Sequence, residues 1–560
     1  MAYTINQAME RLPWQKVVFA EEPRRSVLSM LPDGLADRPL RLVIHRNAPV
    51  EYLLGPLGKY LAFDGWSLAA APGPYDDSLL FQDAGTGDLE LVWLDFSRYL
   101  ERMPPPSLVQ WLGERLAELR RRSDAPILVA GAEPPLDEGF DGLLQEALTG
   151  LGAVRVVPRL PLVRHLGGRY YDSRLAALGA TDKSDAAFLG MARELGLVWI
   201  PAALGPGLKA LALDLDHTLY QGVLGEDGIP GVQLTPAHAE LQRRILALRE
   251  DGFLLALVSR NEAEDVEALF RARQDFPLRR EHFSAFQVNW ESKALGVARA
   301  AGELRIGLDA ILFMDDNPGE LAAVAGAHPQ VRLLHAADPG QSLRGLRWFP
   351  GLARWTRTGA DALRSRDLEA NRVRASLEQT ASNPAEYLRS LDVRIQLTRR
   401  AVEDLPRLLE LSGKTNQFNV ALRRLNEIEV RKRVPDPDFQ WVSGALSDRL
   451  SDSGVVMALF ASRTPDGLRV EDLCISCRAL GRGLEDILVT AALDGLLEGA
   501  GTQVQFPYAL GPRNGPGRAW LAQYSGVALA EQGMVTLDWP CAIRRRSIED
   551  VPVAMSWRRA

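Results

Sequence analysis

The chain has 560 residues, too many for one hydrophobic core, and about three or four structural units are expected at the usual domain size. Its 46% apolar and 24% charged residues are an ordinary soluble globular composition. With 65 basic against 72 acidic side chains the net charge is −7, which excludes a general nucleic-acid or anionic-membrane binder and confines any basic partner surface to a local patch.

Three cysteines cannot build a disulfide framework in so long a chain and fit a reducing compartment. Cys474 and Cys477 form a CxxC with no second pair at metal-ligand spacing, so a structural zinc site is not expected. The opening MAYTINQAMERLPWQK carries charges where a signal peptide needs a continuous apolar core. No run approaches the roughly 20 apolar residues of a membrane span. A cytoplasmic protein without membrane or nucleic-acid partners is expected.

Residues 1–204 alternate apolar runs (RLVIHRN, LELVWLDF, PILVAGA, VRVVP) with amphipathic segments (LVQWLGERLAELRRR, DGLLQEALTGLG). Strands spaced by helices predict a parallel α/β sheet. No Gly-Asp-Ser turn, GxSxG or Gly-rich dinucleotide turn occurs there. A second α/β unit, residues 205–345, has strands LKALALDLD, FLLALVSRN and AILFMDDNP separated by helices such as AELQRRILALRED and EDVEALFRAR. An Arg-rich helical linker is expected over 346–390, ending at Asn383-Pro384. The last unit, 391–560, has strands DVRIQLTRR, FQWVSGALSDR, SGVVMALFASR, LRVEDLCISC and TQVQFPY and reads as a third α/β domain.

In the second unit, polar residues collect at the strand ends, where open α/β sheets bind ligands. Asp214 and Asp216 leave the first strand on one face. Two such carboxylates need a proton or a cation between them, and a hard ion such as Mg²⁺ meets that need. Ser259 can bond a phosphoryl oxygen, Lys293 can neutralise charge on a transferring phosphoryl group, and Asp315 and Asp316 supply a second acidic pair. Each part has a plain structural alternative: a DxD strand exit, a Ser N-cap, a surface lysine, an Asp-Asp turn. Their order along the chain is what sets them apart.

That order, DLDHT, VSRN, NWESK, FMDDNP, resembles the four motifs of the haloacid dehalogenase (HAD) phosphotransferase superfamily. LDLDHTLYQGVLGEDG further resembles the FkbH-like subfamily, usually DLDNTLWGGVxGEDG, departing from it at His217 and at Tyr220-Gln221. The resemblance implies Asp214 as nucleophile, Asp216 as general acid/base, and Ser259 and Lys293 as phosphoryl-stabilising groups. It implies Mg²⁺ held by Asp214, Asp216, Asp315 and Asp316, with Thr218 and Asn261 on the substrate side. His217 is expected to pack at the turn or to bond substrate.

KTNQFNVALRR, LSDRLSDSGVV, ISCRALGRGLED and LGPRNGP extend the FkbH-like resemblance to about residues 170 to 530. Arg478, Gly481 and Gly483 have the spacing of the pyrophosphate loop in GNAT-type acyltransferases, between a predicted strand and helix. Cys477 could carry an acyl thioester if Arg478 and the helix start lower its pKa, or both cysteines could be small buried residues. Asn416 and Asn419 suit a polar acyl chain or an internal hydrogen-bond network.

By resemblance the chain is expected to take a glyceryl unit from 1,3-bisphosphoglycerate, a phosphorylated three-carbon acyl donor. It would dephosphorylate that unit and load it onto the phosphopantetheine of an acyl carrier protein in secondary-metabolite biosynthesis. The expected architecture is an N-terminal SGNH-like α/β domain, noncatalytic and serving contacts or homodimerisation, a central HAD Rossmann-like domain and a C-terminal GNAT-like domain. The Arg-rich stretch from Arg344 to Arg400 is a candidate carrier-docking surface. Transfer of another acyl group, plain phosphatase activity and a scaffold with a vestigial site are the competing readings.

Overall fold

The computed structural model describes residues 5–175, 181–205, 207–355, 370, 373–374, 377, 383–476, 478–480, 483–497, 502–511, 514–539 and 553–559. The chain is α/β. It divides into two compact units, one built from residues 1–356 except 250–254 and 304–306, the other centred on 357–560.

The first unit contains two five-stranded sheets. In one, β1 (Arg38–Arg46), β2 (Trp66–Tyr75), β3 (Leu89–Trp93), β4 (Ile127–Ala130) and β5 (Val154–Val157) pair in the order β2-β1-β3-β4-β5, all parallel. β3 and β4 are buried on both faces, which is why β4 is an unbroken apolar run and β3 is apolar except at Glu90, whose carboxylate is held by His45 and Ser123. The helix Pro105–Arg122 turns Leu108, Leu112, Leu116 and Leu119 inward at helical spacing. β2 has no such run: it is an edge strand, the position in a sheet that tolerates residues such as Pro72 and Pro74.

The other sheet comprises β6 (Ala210–Leu213), β7 (Leu254–Ser259), β8 (Ala285–Val288), β9 (Ile311–Asp315) and β10 (Arg332–His335), in the order β10-β9-β6-β7-β8. Strand order therefore reverses at β6, which lies between β9 and β7. In an open α/β sheet that reversal opens a crevice at the carboxyl ends, the place where ligands bind. β8 and β10 escape the apolar-run criterion because each has only four residues, two of them half-buried. Within this unit Gln15 spans to β10, donating from Nε2 to the Leu333 carbonyl (2.7 Å) and accepting from His335 N (3.0 Å). Arg332 pairs with Asp64 at 2.7 Å.

A continuous helical run, Asp185–Leu204, is long and apolar enough to cross a membrane by length and composition, but 67% of its apolar window is buried against the rest of the protein. Arg193 interrupts it, stacking on Trp348 at 4.1 Å.

In the second unit, β11 (Arg394–Arg399), β12 (Phe418–Asn419), β13 (Phe439–Ser447), β14 (Asp452–Thr464), β15 (Gly467–Ile475), β16 (Gln503–Ala509), β17 (Gln532–Asp538) and β18 (Ala554–Arg559) form one sheet. The path is β17-β16-β15-β14-β13-β11-β18, with β12 beside β15. Neighbours are antiparallel except β15/β16 and β11/β18. Helix Leu405–Lys414 covers one face through Leu405, Leu408 and Leu411, packed with Phe439, Trp441 and Phe460. Helix Glu485–Leu497 contributes Ile487, Leu488, Ala491 and Leu493 to the other core. β17 and β18 went unforeseen because both lie at sheet ends with mostly exposed residues.

Most of the expected linker, 346–390, falls outside the described residues. At its end Asn383 caps the helix Pro384–Leu391, its side chain accepting from Glu386 N, so Asn-Pro opens a helix.

Candidate active site

The apolar run of β6 stops at Leu213, and Asp214 is the first residue past the strand. It is only 4% exposed. The alternation expected of Asp214 and Asp216 does not apply, because the chain turns at once: Leu219 N bonds the Leu215 carbonyl, and His217 takes a left-handed φ of 53°. The His217 side chain is exposed rather than packed.

Three further strand ends meet Asp214. At the end of β7, Ser259 is buried and its hydroxyl donates to Asp214 Oδ1 at 3.1 Å. It is no helix cap: the following helix Ala263–Ala272 starts after Glu262, which makes no side-chain cap bond. After β8, Lys293 opens the helix Lys293–Glu303, which lies close on β7. A Cβ at Gly296 would come within 2.8 Å of Val258. That approach sets the buried Lys293 ammonium 2.8 Å from Asp214 and 2.7 Å from Asp315, the last residue of β9. Asp315 Oδ1 accepts from Asn317 N (2.8 Å), and Asp316 N donates to Thr218 Oγ1 (3.2 Å). His335 Nε2 lies 3.0 Å from the Asp316 carbonyl oxygen.

Oxygens of Asp214, Asp315 and Asp316 lie within 4.8 Å of one another. Three carboxylates beside one ammonium leave an excess of two negative charges, and an all-oxygen set of this kind suits a hard divalent cation. Burial pushes the Asp214 carboxyl up to about 7, Lys293 draws it down in part, and Asp315 raises it again. Asp316 is raised by burial and by Asp315. For Lys293, burial alone would lower the ammonium pKa, but the two carboxylates hold it above its ordinary value.

Of the four aspartates expected to hold the metal, three bring their carboxylates together, and the Asp216 carboxylate is not among them. Three donors hold it: Oδ1 accepts from Tyr220 OH (2.6 Å) and Leu224 N (3.0 Å), and Oδ2 from Asn261 Nδ2 (2.8 Å). Asn261 also donates to Ser259 Oγ at 3.2 Å, so one hydrogen-bonded chain runs from Asp216 to Asp214. The Gly-rich tail explains the Leu224 contact. Gly222 takes φ 115°, and Asp227 Oδ2 accepts from Val223 N at 2.8 Å, folding the tail back on Asp216. Tyr220 and Leu224 are not among the expected site residues; Tyr220 is marked in the sequence as a departure from the FkbH-like pattern and as a hydroxyl four residues after an acid.

In the second unit, Cys477 and Gly481 lie outside the described residues. Arg478 is buried, and Gly483 has a positive φ of 66° with no atom within 4 Å of where a Cβ would stand. Cys474 is buried, 3.4 Å from Asp472 Oδ2, and burial raises its thiol pKa well above the ordinary value. It faces the aromatic core beneath helix Leu405–Lys414. Asn416 is half-buried, accepting from Arg424 Nη2 at 2.5 Å. Asn419 is fully buried, donating to the Ser412 carbonyl (3.3 Å) and accepting from Leu422 N (2.7 Å), the internal network of the two roles open to it.

β15 and β16 pair at only three positions, Gly467 to Arg469 with Gln503 to Gln505. Beyond that point the chain's own segment Gln417 to Val420 fills the fork. Phe418 and Asn419 pair with Ile475 and Cys474 of β15, and Ala509 N at the end of β16 donates to the Val420 carbonyl at 3.1 Å. Gly517 N donates to the Gln417 carbonyl (3.2 Å), and Asn514 Nδ2 donates to both the Asn419 (3.0 Å) and Ala509 (2.8 Å) carbonyls.

A cavity of about 400 Å³ lies at the carboxyl ends of β1, β3, β4 and β5, lined by Trp93, Asp95, Ser97, Glu133, Arg159 and Lys183 among others. Among the described residues no histidine lines it, and Ser97 donates its hydroxyl to Asp95 at 2.6 Å.

No family model matches the chain, and no curated protein matches it. Among solved structures it is similar to the N-terminal part of the protein BF1531 from Bacteroides fragilis, containing a phosphatase domain complexed with Mg (18% identity, 63% of this chain, 100% of that one, TM-score 0.46). It is also similar to a HAD-like phosphatase from Mesorhizobium loti (16%, 27% and 90%, 0.21). A third is the SpeG spermidine N-acetyltransferase of Vibrio cholerae (11%, 26% and 94%, 0.19). All three TM-scores are below 0.5 and all identities below 25%, too low to carry fold or function from those proteins to this chain.

Proposed function

We infer that this chain is a Mg²⁺-dependent phosphatase of the HAD type whose phosphoryl site serves an acyl-transfer reaction. The observation that carries the reading is the convergence of Asp214, Ser259, Lys293, Asp315 and Asp316 at the carboxyl ends of β6, β7 and β9 and the helix after β8. Asp214, Asp315 and Asp316 would hold Mg²⁺, which would supply charge neutralisation at the phosphoryl oxygens. Asp214 attacks phosphorus and the bond to the leaving oxygen breaks; Asp216 gives that oxygen its proton. Asp216 then takes a proton from the water that hydrolyses the aspartyl phosphate. Ser259 and Lys293 stabilise the phosphoryl oxygens throughout.

The finer reading is that the Cys477 thiolate attacks the acyl carbon of 1,3-bisphosphoglycerate and the acyl phosphate leaves as inorganic phosphate; the resulting phosphoglyceryl thioester loses its ester phosphate at the Asp214 site, and the phosphopantetheine thiol of an acyl carrier protein then takes the glyceryl group and frees Cys477. The motif resemblance supports it. The filled fork between β15 and β16 favours a second reading, a phosphatase whose C-terminal unit does not accept a pantetheine arm along those strands.

Full-length protein incubated with Mg²⁺, 1,3-bisphosphoglycerate and carrier protein tests both. Loss of the ester phosphate that vanishes in Asp214→Asn, read as a phosphoglyceryl rather than a glyceryl product by mass, supports the phosphatase, and a glyceryl mass increment on the carrier supports the transfer. Unchanged loss of the ester phosphate in Asp214→Asn refutes the first; loss of the ester phosphate with no adduct leaves the plain phosphatase.

A further inference from the structure

Tyr220 is fully buried, its ring 5.9 Å from that of Phe276, and its phenol points at a carboxylate rather than at solvent. The bond to Asp216 Oδ1 is short for a hydroxyl donor, 2.6 Å, and Leu224 N donates to the same oxygen at 3.0 Å. Oδ2 has one donor, Asn261 Nδ2. A carboxylate offers two acceptor sites per oxygen, so two donors saturate Oδ1 and leave Oδ2 with capacity to spare. Burial and the neighbouring Asp216 hold the phenol pKa far above its ordinary value, which keeps the hydroxyl a donor.

We propose that Tyr220 is a positioning residue for Asp216: with Leu224 N it anchors Oδ1, turns the carboxyl away from the Asp214–Asp315–Asp316 cluster, and presents Oδ2 to the leaving-group oxygen. This deepens the phosphatase reading and rests on it. Tyr220 stands at one of the two departures from the usual FkbH-like sequence, so the anchor belongs to this chain's own residues. A positioned acid matters where the leaving oxygen needs a proton, as an alkoxide does, and little where it leaves as a stable phenolate.

The test uses full-length protein with Mg²⁺ and two esters, glycerol 2-phosphate and p-nitrophenyl phosphate. Tyr220→Phe, which keeps the ring in its pocket, is expected to lower kcat/KM about tenfold on the alkyl ester and about twofold or less on the aryl ester. The double variant Asp216→Asn/Tyr220→Phe is expected to match Asp216→Asn alone, since a residue acting through another adds nothing once that one is gone. Equal losses on both esters, or a double variant that falls by the full single-variant factor below Asp216→Asn, overturn the inference. Phosphate release that survives in Asp214→Asn, or a wild-type protein inactive on both esters, overturns the phosphatase reading itself, whatever Tyr220→Phe does.

Discussion

Lowering the pH is expected to weaken Mg²⁺ binding by an amount the carboxylate cluster sets. In the metal-free protein the Asp214 carboxyl is pushed up to about 7, chiefly by burial, with Lys293 at 2.8 Å offsetting part of the rise. A cation can take this ligand only after its proton leaves, so apparent affinity scales as the ionised fraction. With one competing proton of pKa about 7, affinity is nearly full at about pH 8 and about a tenth of that at about pH 6, roughly 1.4 kcal/mol. Asp316, raised in the same direction, can only steepen the dependence. Calorimetric titration of the full chain with Mg²⁺ across that range reads the effect directly. The sign is fixed on the stability side as well. The folded-state value lies above the ordinary 3.8, so this proton's contribution is fully present below about pH 4 and lost as the pH climbs through about 7. Mg²⁺ should therefore raise the unfolding temperature more at pH 8 than at pH 6. Equal dissociation constants at the two pH values, or wild-type affinity in Asp214→Asn, would refute the reasoning.

Lys293→Met removes the one ammonium bridging Asp214 and Asp315 and is expected to abolish phosphate release. It should also destabilise the metal-free protein by about 3 kcal/mol, part of which Mg²⁺ restores by replacing the lost charge; thermal unfolding with and without the ion checks this. In the second unit, burial would raise Glu410 and Glu471, but Arg407 and Lys414 in one case and Arg433 and Arg423 in the other draw both down to about 2. Their folded values lie below the ordinary 4.5, so the stability they contribute is present above pH 4.5 and lost as the pH falls toward 2. Glu471→Gln should flatten the acid unfolding of that unit, followed by circular dichroism.

The candidate site is legible in the sequence because its polar side chains stand where apolar runs stop. β6, β7 and β9 announce themselves by unbroken hydrophobicity, and Asp214, Ser259 and Asp315 stand at the ends of those runs. Strand alternation does not place the Asp216 carboxylate, because β6 ends at Leu213 and Gly222 and the Asp227 cap shape the chain past it. Edge strands such as β2 and β17 were invisible for the opposite reason, since a half-exposed strand needs no apolar run. The filling of the β15/β16 fork depends on residues more than fifty positions apart, such as Asn419 and Cys474, and no local pattern encodes such a pairing.

That fork has a thermodynamic consequence for any extended ligand. An unpaired strand edge is a template for a chain of amides, peptide or pantetheine alike. Here the template is already read by Gln417 to Val420, tethered so that its effective concentration never falls. A competing strand from outside would see its affinity scaled by the fraction of time the tethered segment is away. Asn514, which bonds both the Asn419 and Ala509 carbonyls, is one of the groups holding the segment in place. Binding of any outside strand along this edge would therefore depend as much on what loosens the segment as on what the strand touches.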